Sequence, residues 1–205
     1  WTEPGGGTSL LNDRPPLSLR AVVNFADGRQ YPLSSIVVHN RSLNGNETDD
    51  AAGQRVRAKR QAQAEFLANL LQERQLANAG ENILVMGDFN TFEFNDGYVD
   101  AMGVITGQPS RDSETIVPGD GADLVTPDYQ ALTWSLPADQ SYSYTFDGVV
   151  QSLDHMVANA ALLADPQLQN LRVSHARINA DFPETARSDG NTPTRLSDHD
   201  PTVVL

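Results

Sequence analysis

At 205 residues, 39% hydrophobic and 20% charged, the chain has the length and balance of one globular domain with a core of its own. Cysteine is absent, which excludes disulfide staples, thiolate metal sites and a cysteine nucleophile, so any metal must be held by oxygen or imidazole. A net charge of -13, from 14 basic and 27 acidic residues, argues against affinity won by covering phosphates with lysine and arginine; it suits a collector of divalent cations or a solvated acidic surface.

In chain order, residues 1–13 are rich in Gly, Ser and Thr without a period and read as a flexible segment, with 14–205 forming the domain. Trp1 in place of Met, with no apolar signal core behind it, reads as a processed or excised product. Residues 17–25 and 33–39 are β-branched and apolar around Asp27-Gly28-Arg29, the pattern of a hairpin. Over 51–77, Val56, Gln63, Phe66, Leu67, Leu70 and Leu71 recur at helical spacing, Gly80 can take the left-handed cap conformation, and 83–86 is an apolar strand. A strand, helix, strand unit results. At the helix start Arg55, Arg57, Lys59 and Arg60 oppose the helix dipole. Glu47, Asp49 and Asp50 just upstream are the favoured partners, and phosphate contact is the sharper alternative.

Further on, 98–102 reads as a short helix and 107–137 as long loops. Tyr142, Tyr144 and Phe146 alternate with polar neighbours, and Asp147-Gly148 turns the chain into 152–158, a second hairpin; 202–205 is a last short strand. No run approaches the ~20 apolar residues of a membrane-spanning helix.

Four segments place Asp, Asn or His beside or just after an apolar strand: His39-Asn40-Arg41, Gly87-Asp88-Phe89-Asn90, Leu153-Asp154-His155 and Ser197-Asp198-His199-Asp200-Pro201. In α/β sheets such strand ends gather into one cleft. Hydrolysis of a phosphodiester needs a deprotonated water, neutralisation of charge on phosphoryl oxygens and a stabilised leaving oxygen. Carboxylates can hold a hard divalent cation, a histidine near neutral pKa can take the proton, and an aspartate bonded to that histidine fixes its tautomer. Asp154, inside an apolar strand, is costly to bury alone, and His199 is its natural partner. His155 points to the opposite face and reads as structural. For Asp88 and Asn90 the plain alternative is an Asx-turn after the strand.

The last three of these segments, in that order and strand context, resemble the endonuclease/exonuclease/phosphatase superfamily, which shares the deoxyribonuclease I fold; the likeness covers residues 14–205. It implies an α/β (α+β) chain, a four-layer sandwich of two packed mixed sheets flanked by helices. Carried over by position, it implies His199 as general base, Asp154 as its orienting carboxylate, Asp198 and Asp88 facing the metal, Asn90 bonding the phosphoryl group, and His39 stabilising charge or assisting the leaving group. Arg14, before Pro15-Pro16, resembles an arginine near the substrate phosphate, and Arg41 joins it there. The implied cofactor is Mg2+, with Ca2+ and Mn2+ as alternatives, and the implied substrate is a phosphodiester, DNA or RNA first; a lipid, sugar or other small phosphate, and a non-catalytic binding module, are the rival readings. The superfamily site also uses an asparagine on its first strand and a metal-binding glutamate on an early helix. Nothing before Arg14 supplies them, so the chain is expected to be the C-terminal portion of the domain, its N-terminal half coming from a separate or missing segment. Residues 176–184 resemble bacterial exported members, which implies a secreted or periplasmic protein.

Overall fold

A computed structural model describes residues 1–119, 121–168 and 171–204. Strands β1 (Leu17–Asn24) and β2 (Gln30–His39) pair antiparallel about Asp27-Gly28, where Gly28 takes a φ of 84°. The chain crosses over through α1 (Ala51–Ala77) and returns as β3 (Ile83–Asp88), parallel to β2, a pairing that requires such a long connection. Asp50 caps the helix, its Oδ1 accepting the Gly53 N–H at 2.8 Å. At the other end the left-handed cap expected of Gly80 is not used. Asn78 ends the helix in extended conformation, φ -155°, and its own Oδ1 takes the Gly80 N–H at 3.1 Å.

The short helix comes later than 98–102. α2 (Ala101–Thr106) starts where Asp100 can cap it, with the Gly103 N–H on Oδ1 at 3.0 Å. There follow β4 (Gln130–Ala131), β5 (Tyr144–Phe146), β6 (Val149–Gln151), β7 (Asp154–Ala158), α3 (Ala160–Ala164), β8 (Val173–His175) and β9 (Thr202–Val204). The last residue of the expected final strand, Leu205, lies outside the described residues.

The second hairpin also differs from expectation. Asp147 and Gly148, at φ 48° and 79°, turn the chain into β6, and 152–158 leaves to become β7 of the main sheet. Burial explains the division: Met156, Val157 and Ala158 are 0–5% exposed, whereas Val149 and Val150 of β6 stay in solvent. The main sheet runs β1-β2-β3-β7-β4, with β2 and β3 parallel and the other pairs antiparallel.

Each face of this sheet has its own core. On one face Leu67 and Leu71 of α1 pack with Ile36, Val38, Val85 and Val157 of the sheet, and α2 joins the same cluster through Met102 and Ile105. On the other face Leu84, Met156 and Leu162 pack against Val173 and Val204 of the two-stranded β8–β9 sheet. Of the four layers expected, the described residues fill a helical layer, the mixed sheet and this short second sheet. Beyond it, Leu17, Leu19 and Val37 on the same face are 69%, 60% and 43% exposed.

Residues 1–13 fold back on α1 instead of trailing free. Thr2 bridges Thr8, the Trp1 amino group donates to the Ser9 carbonyl, and Glu3 accepts from Nε and Nη2 of Arg55 at 2.8 and 2.7 Å. The other helix cations also find partners away from Glu47, Asp49 and Asp50: Lys59 bonds Asp13 at 2.6 Å, Arg60 bonds Asp96 at 2.7 Å, and Arg57 donates to the Asn46 and Thr48 carbonyls. Asp50 is committed to the helix cap.

Candidate active site

Register builds the site. His39 ends β2 opposite Asp88 of β3, and Asp88 in turn pairs with Asp154, the first residue of β7, so three strands deliver three polar side chains in one row. The row stands at the carboxyl ends of the parallel pair, where an open α/β sheet places its cleft. Gly87 makes the row possible: at φ 132° a Cβ there would lie 2.2 Å from the Val38 carbonyl oxygen, so any side chain would force β2 and β3 apart.

His199 arrives just before β9. A lone β-bridge to Tyr144 holds its backbone, and its Nδ1 lies 2.6 Å from Asp154 Oδ2. Donation from Nδ1–H to that carboxylate leaves Nε2 as the proton acceptor facing the cleft. Burial alone would lower the His199 pKa, but the hydrogen bond and charge of Asp154, with Asp88 and Asp198 beyond, outweigh it and leave the imidazole above its ordinary value.

Asp88 is pushed up to about 6, first by burial and then by the charge of Asp154. Asp88, Asp154 and His199 each offer a ligand atom within 4.8 Å of the others. Two carboxylates this close, one of them reluctant to ionise, form a donor set that a divalent cation would complete, since its charge removes the repulsion and its coordination replaces lost water. Asp198 stands apart from that group; its carboxylate takes the Ser197 hydroxyl at 3.4 Å and lines the same cleft.

Asn90 lines the cleft beside Asp88. At φ 51° it closes an Asx-turn, its N–H on Asp88 Oδ1 at 2.8 Å, and its side-chain amide donates to Asp88 Oδ2 at 2.9 Å and to the Asn40 carbonyl at 3.0 Å. Both amide hydrogens are engaged, so a phosphoryl oxygen would find no donor there. The residue orients Asp88.

His39 lies 3.5 Å from Asp88 Oδ2, with the Arg14 guanidinium against its ring, Nη1 2.7 Å from Nδ1. Burial first, and Arg14 second, lower its pKa and keep it neutral. Arg41 turns toward its own loop, donating to the Ser42 hydroxyl and the Asn44 carbonyl, and borders a recess of about 370 Å³ that shares Arg14 and His39. The main cleft, about 920 Å³, holds Arg14, His39, Asp88, Asp154 and His199 together. His155 is fully buried between Thr133 Oγ1 and the Thr91 carbonyl, a packing role as expected.

Two neighbours of the dyad, Ser143 and Tyr144, have contacts that no sequence motif indicates. Tyr144 stacks on the His199 ring, centroids 4.5 Å apart at 27°, and Ser143 reaches Asp154 Oδ2 at 2.6 Å. The alternating Tyr142, Tyr144 and Phe146 marked a strand, but nothing local signalled that its edge would close on residue 199. Residues 176–184 have a framing role as well: the N–H groups of Ile178, Asn179 and Ala180 converge on Asp200 Oδ1, and the Asn179 amide holds the His199 carbonyl at 2.7 Å.

No family model and no curated protein sequence matches the chain. Solved structures similar to it include truncated TDP2 of Caenorhabditis elegans, at 13% identity and a TM-score of 0.49 over 93% of this chain and 66% of that one. The human Nocturnin catalytic domain with bound sulfate gives 15% identity and a TM-score of 0.40, over 93% and 53% of the two chains. An endonuclease/exonuclease/phosphatase family protein of Bacteroides thetaiotaomicron gives 12% and 0.41, over 88% and 52%. The chain spans about half to two thirds of the length of these structures. No helix among the described residues is long and apolar enough to cross a membrane.

Proposed function

We propose that this chain carries the catalytic residues of a divalent-metal-dependent phosphodiesterase in which His199, paired with Asp154, activates the attacking water. One observation supports the reading above all: the 2.6 Å contact between His199 Nδ1 and Asp154 Oδ2 at the edge of a cleft that also holds Asp88. In this reading Nε2 of His199 takes a proton from water, and the Asp154 carboxylate stabilises the imidazolium that forms. Asp88, oriented by Asn90, and Asp154 would hold the cation, with Asp198 at the rim. When bound, Mg2+, or Mn2+ or Ca2+ in its place, supplies Lewis-acid neutralisation of the phosphoryl oxygens. Arg14 adds a fixed positive charge on that side, and His39 acts as a neutral hydrogen-bond donor to the phosphoryl group or the leaving oxygen.

DNA or RNA is the first substrate class to test. A second reading, a lipid, sugar or other small phosphodiester, is favoured by the cleft wall: Arg14 is its one Arg or Lys among the described lining residues, against Glu47, Asp88, Asp154 and Asp198. A polyanion would be steered poorly by such a wall, and counterion release predicts steep salt dependence only if many phosphates are neutralised. The exposed Leu17, Leu19 and Val37 support a further proposal, that an additional segment of the domain extends the second sheet over them and completes the site. Export from a bacterium, suggested by residues 176–184, belongs to the same proposal and is checked by fractionation of the native host.

The deciding assay measures hydrolysis of bis(p-nitrophenyl) phosphate and of a short DNA duplex, with Mg2+, after chelation, and for His199→Ala. Activity that needs the metal and disappears in the variant supports the enzyme. Unchanged hydrolysis in His199→Ala would leave a binding module or another catalyst, and the proposal would fall.

A further inference from the structure

Ser143 is fully buried in the connection leading into β5, and its hydroxyl has every valence assigned. The oxygen accepts the backbone N–H of Asp154 at 3.1 Å and that of Leu153 at 3.3 Å. A serine hydroxyl has two acceptor positions and a single donor. With both acceptors filled by main chain, the remaining hydrogen has one direction left, toward Asp154 Oδ2 at 2.6 Å. That is the same oxygen that receives His199 Nδ1–H. The backbone of Ser143 is fixed as well: its N–H bonds the Gln151 carbonyl, and its carbonyl accepts the Asp200 N–H at 2.7 Å. One residue therefore ties together the strand that carries Asp154 and the segment that carries His199.

We propose that Ser143 is a positioning residue for the Asp154–His199 dyad: its hydroxyl locks the carboxylate rotamer so that Oδ2 meets the imidazole in line. A carboxylate on a strand end can rotate about χ2, a broad and soft torsion. Two donors on one oxygen, arriving from opposite elements, remove that freedom. Tyr144, the next residue, completes the device by lying against the imidazole face, so that consecutive side chains hold the acid and the base in one relative orientation. The sequence pattern needed is Ser-Tyr at the entry to the hairpin, with the dyad acid eleven residues beyond the serine.

The inference rests on the enzymatic reading given above, and its test separates the two. Ser143→Ala removes the donor and also orphans two buried N–H groups, so Ser143→Cys, which keeps the volume with a weak donor, is made beside it. Hydrolysis of bis(p-nitrophenyl) phosphate with Mg2+ is measured for both, alone and in the His199→Ala background. Proton NMR follows the downfield Nδ1–H resonance of His199 in the folded proteins. Loss of an outer partner of a site residue commonly costs roughly 10- to 100-fold in activity. We expect such a fall in kcat, little change in KM, and a shifted or broadened Nδ1–H signal in both variants, with no further loss once His199 is gone. An unchanged Nδ1–H signal, or an equal loss with and without His199, overturns the positioning role and leaves the enzyme assignment intact. If wild type and His199→Ala hydrolyse the probe alike, the assignment itself fails, and the resonance in Ser143→Cys still decides whether the serine orders the pair. Should the alanine variant not fold, the cysteine variant alone carries both readouts.

Discussion

At the start of α1, Arg55, Arg57, Lys59 and Arg60 crowd together, and each meets an oxygen from another part of the chain; at the strand ends, Asp88 and Asp154 stand on neighbouring strands, with the His39 and His199 imidazoles beside them. Both regions are dense in charge. In the first, three cations meet carboxylates and Arg57 meets carbonyls, so the charges hold the N-terminal segment and the loops of the cleft rim in place. In the second the like charges remain, and Asp88 shows it by a pKa of about 6, driven by burial and then by Asp154. Charge met by partners braces the fold, whereas the facing carboxylates are the donor set proposed above to hold a cation.

The sharpest way to break that contrast is to remove one group from each region and read both activity and stability. His199→Ala should lower phosphodiester hydrolysis by about 10²- to 10⁴-fold, the usual share of a general base, with little change in urea midpoint. Asp96→Ala should do the reverse. It strands the Arg60 guanidinium, whose side chain is 2% exposed, and breaking one partner of a buried pair costs roughly 3–5 kcal/mol in urea unfolding while the chemistry of the surviving fold persists. If Asp96→Ala instead abolished turnover at unchanged stability, the helix network would belong to the site.

The two regions were not equally legible in the sequence. Asp88, Asp154 and His199 follow from motif and strand context, because a strand end fixes where its last side chain stands, and register then aligns neighbours. His39 was legible for the same reason. At Asn90 the Asx-turn that the sequence also allows is the one formed, and the side-chain amide donates to Asp88 and to the Asn40 carbonyl. The partners of the helix cations were missed because they lie far from them in the chain, Asp96 36 positions from Arg60 and Asp13 46 from Lys59, where sequence offers proximity and the fold offers distance. The β6 strand escaped because Val149 to Gln151 is short and solvent-facing, with no burial period to betray it. Ser143 carries no signal alone; only the meeting of β7 with residues 197–200 gives it a task.

Asn90→Ala tests how far orientation matters when the carboxylates themselves are kept. Asp88 would lose the side-chain amide donor while keeping the backbone N–H of residue 90, and we expect roughly 10- to 100-fold weaker activity with a higher metal requirement, read by titrating Mn2+. Recovery of full activity at saturating metal would show that the amide tunes affinity alone. His155 gives a smaller, purely structural effect. Burial lowers its pKa, so the folded state keeps it neutral while the unfolded chain protonates it near pH 6.5. Its contribution is therefore present above that pH and declines as pH falls below it, and the melting temperature should fall from about pH 6.5 downward more in wild type than in His155→Gln. Equal pH slopes would remove His155 from the account.

The smallest effect belongs to Glu3, and it probes the paired region at its surface. Arg55 holds the Glu3 carboxyl near 2, through its hydrogen bond first and that of Ser9 second. A carboxylate depressed on folding contributes stability that is present above its unfolded value of about 4.5 and is lost as pH falls toward about 2. Since the pair is open to solvent, salt screens it and its worth is slight. Glu3→Gln should leave the melting temperature and turnover near wild type, and should show itself as faster amide exchange at Glu3 and Ser9, whose N–H groups bond the Gly7 and Trp1 carbonyls. The same change should appear in wild type on lowering the pH below about 4 or raising the salt. A loss of stability in Glu3→Gln as large as that of Asp96→Ala would mean that the N-terminal segment is held by more than this pair, and that depth of burial is not what separates the strong ion pairs of α1 from the weak one.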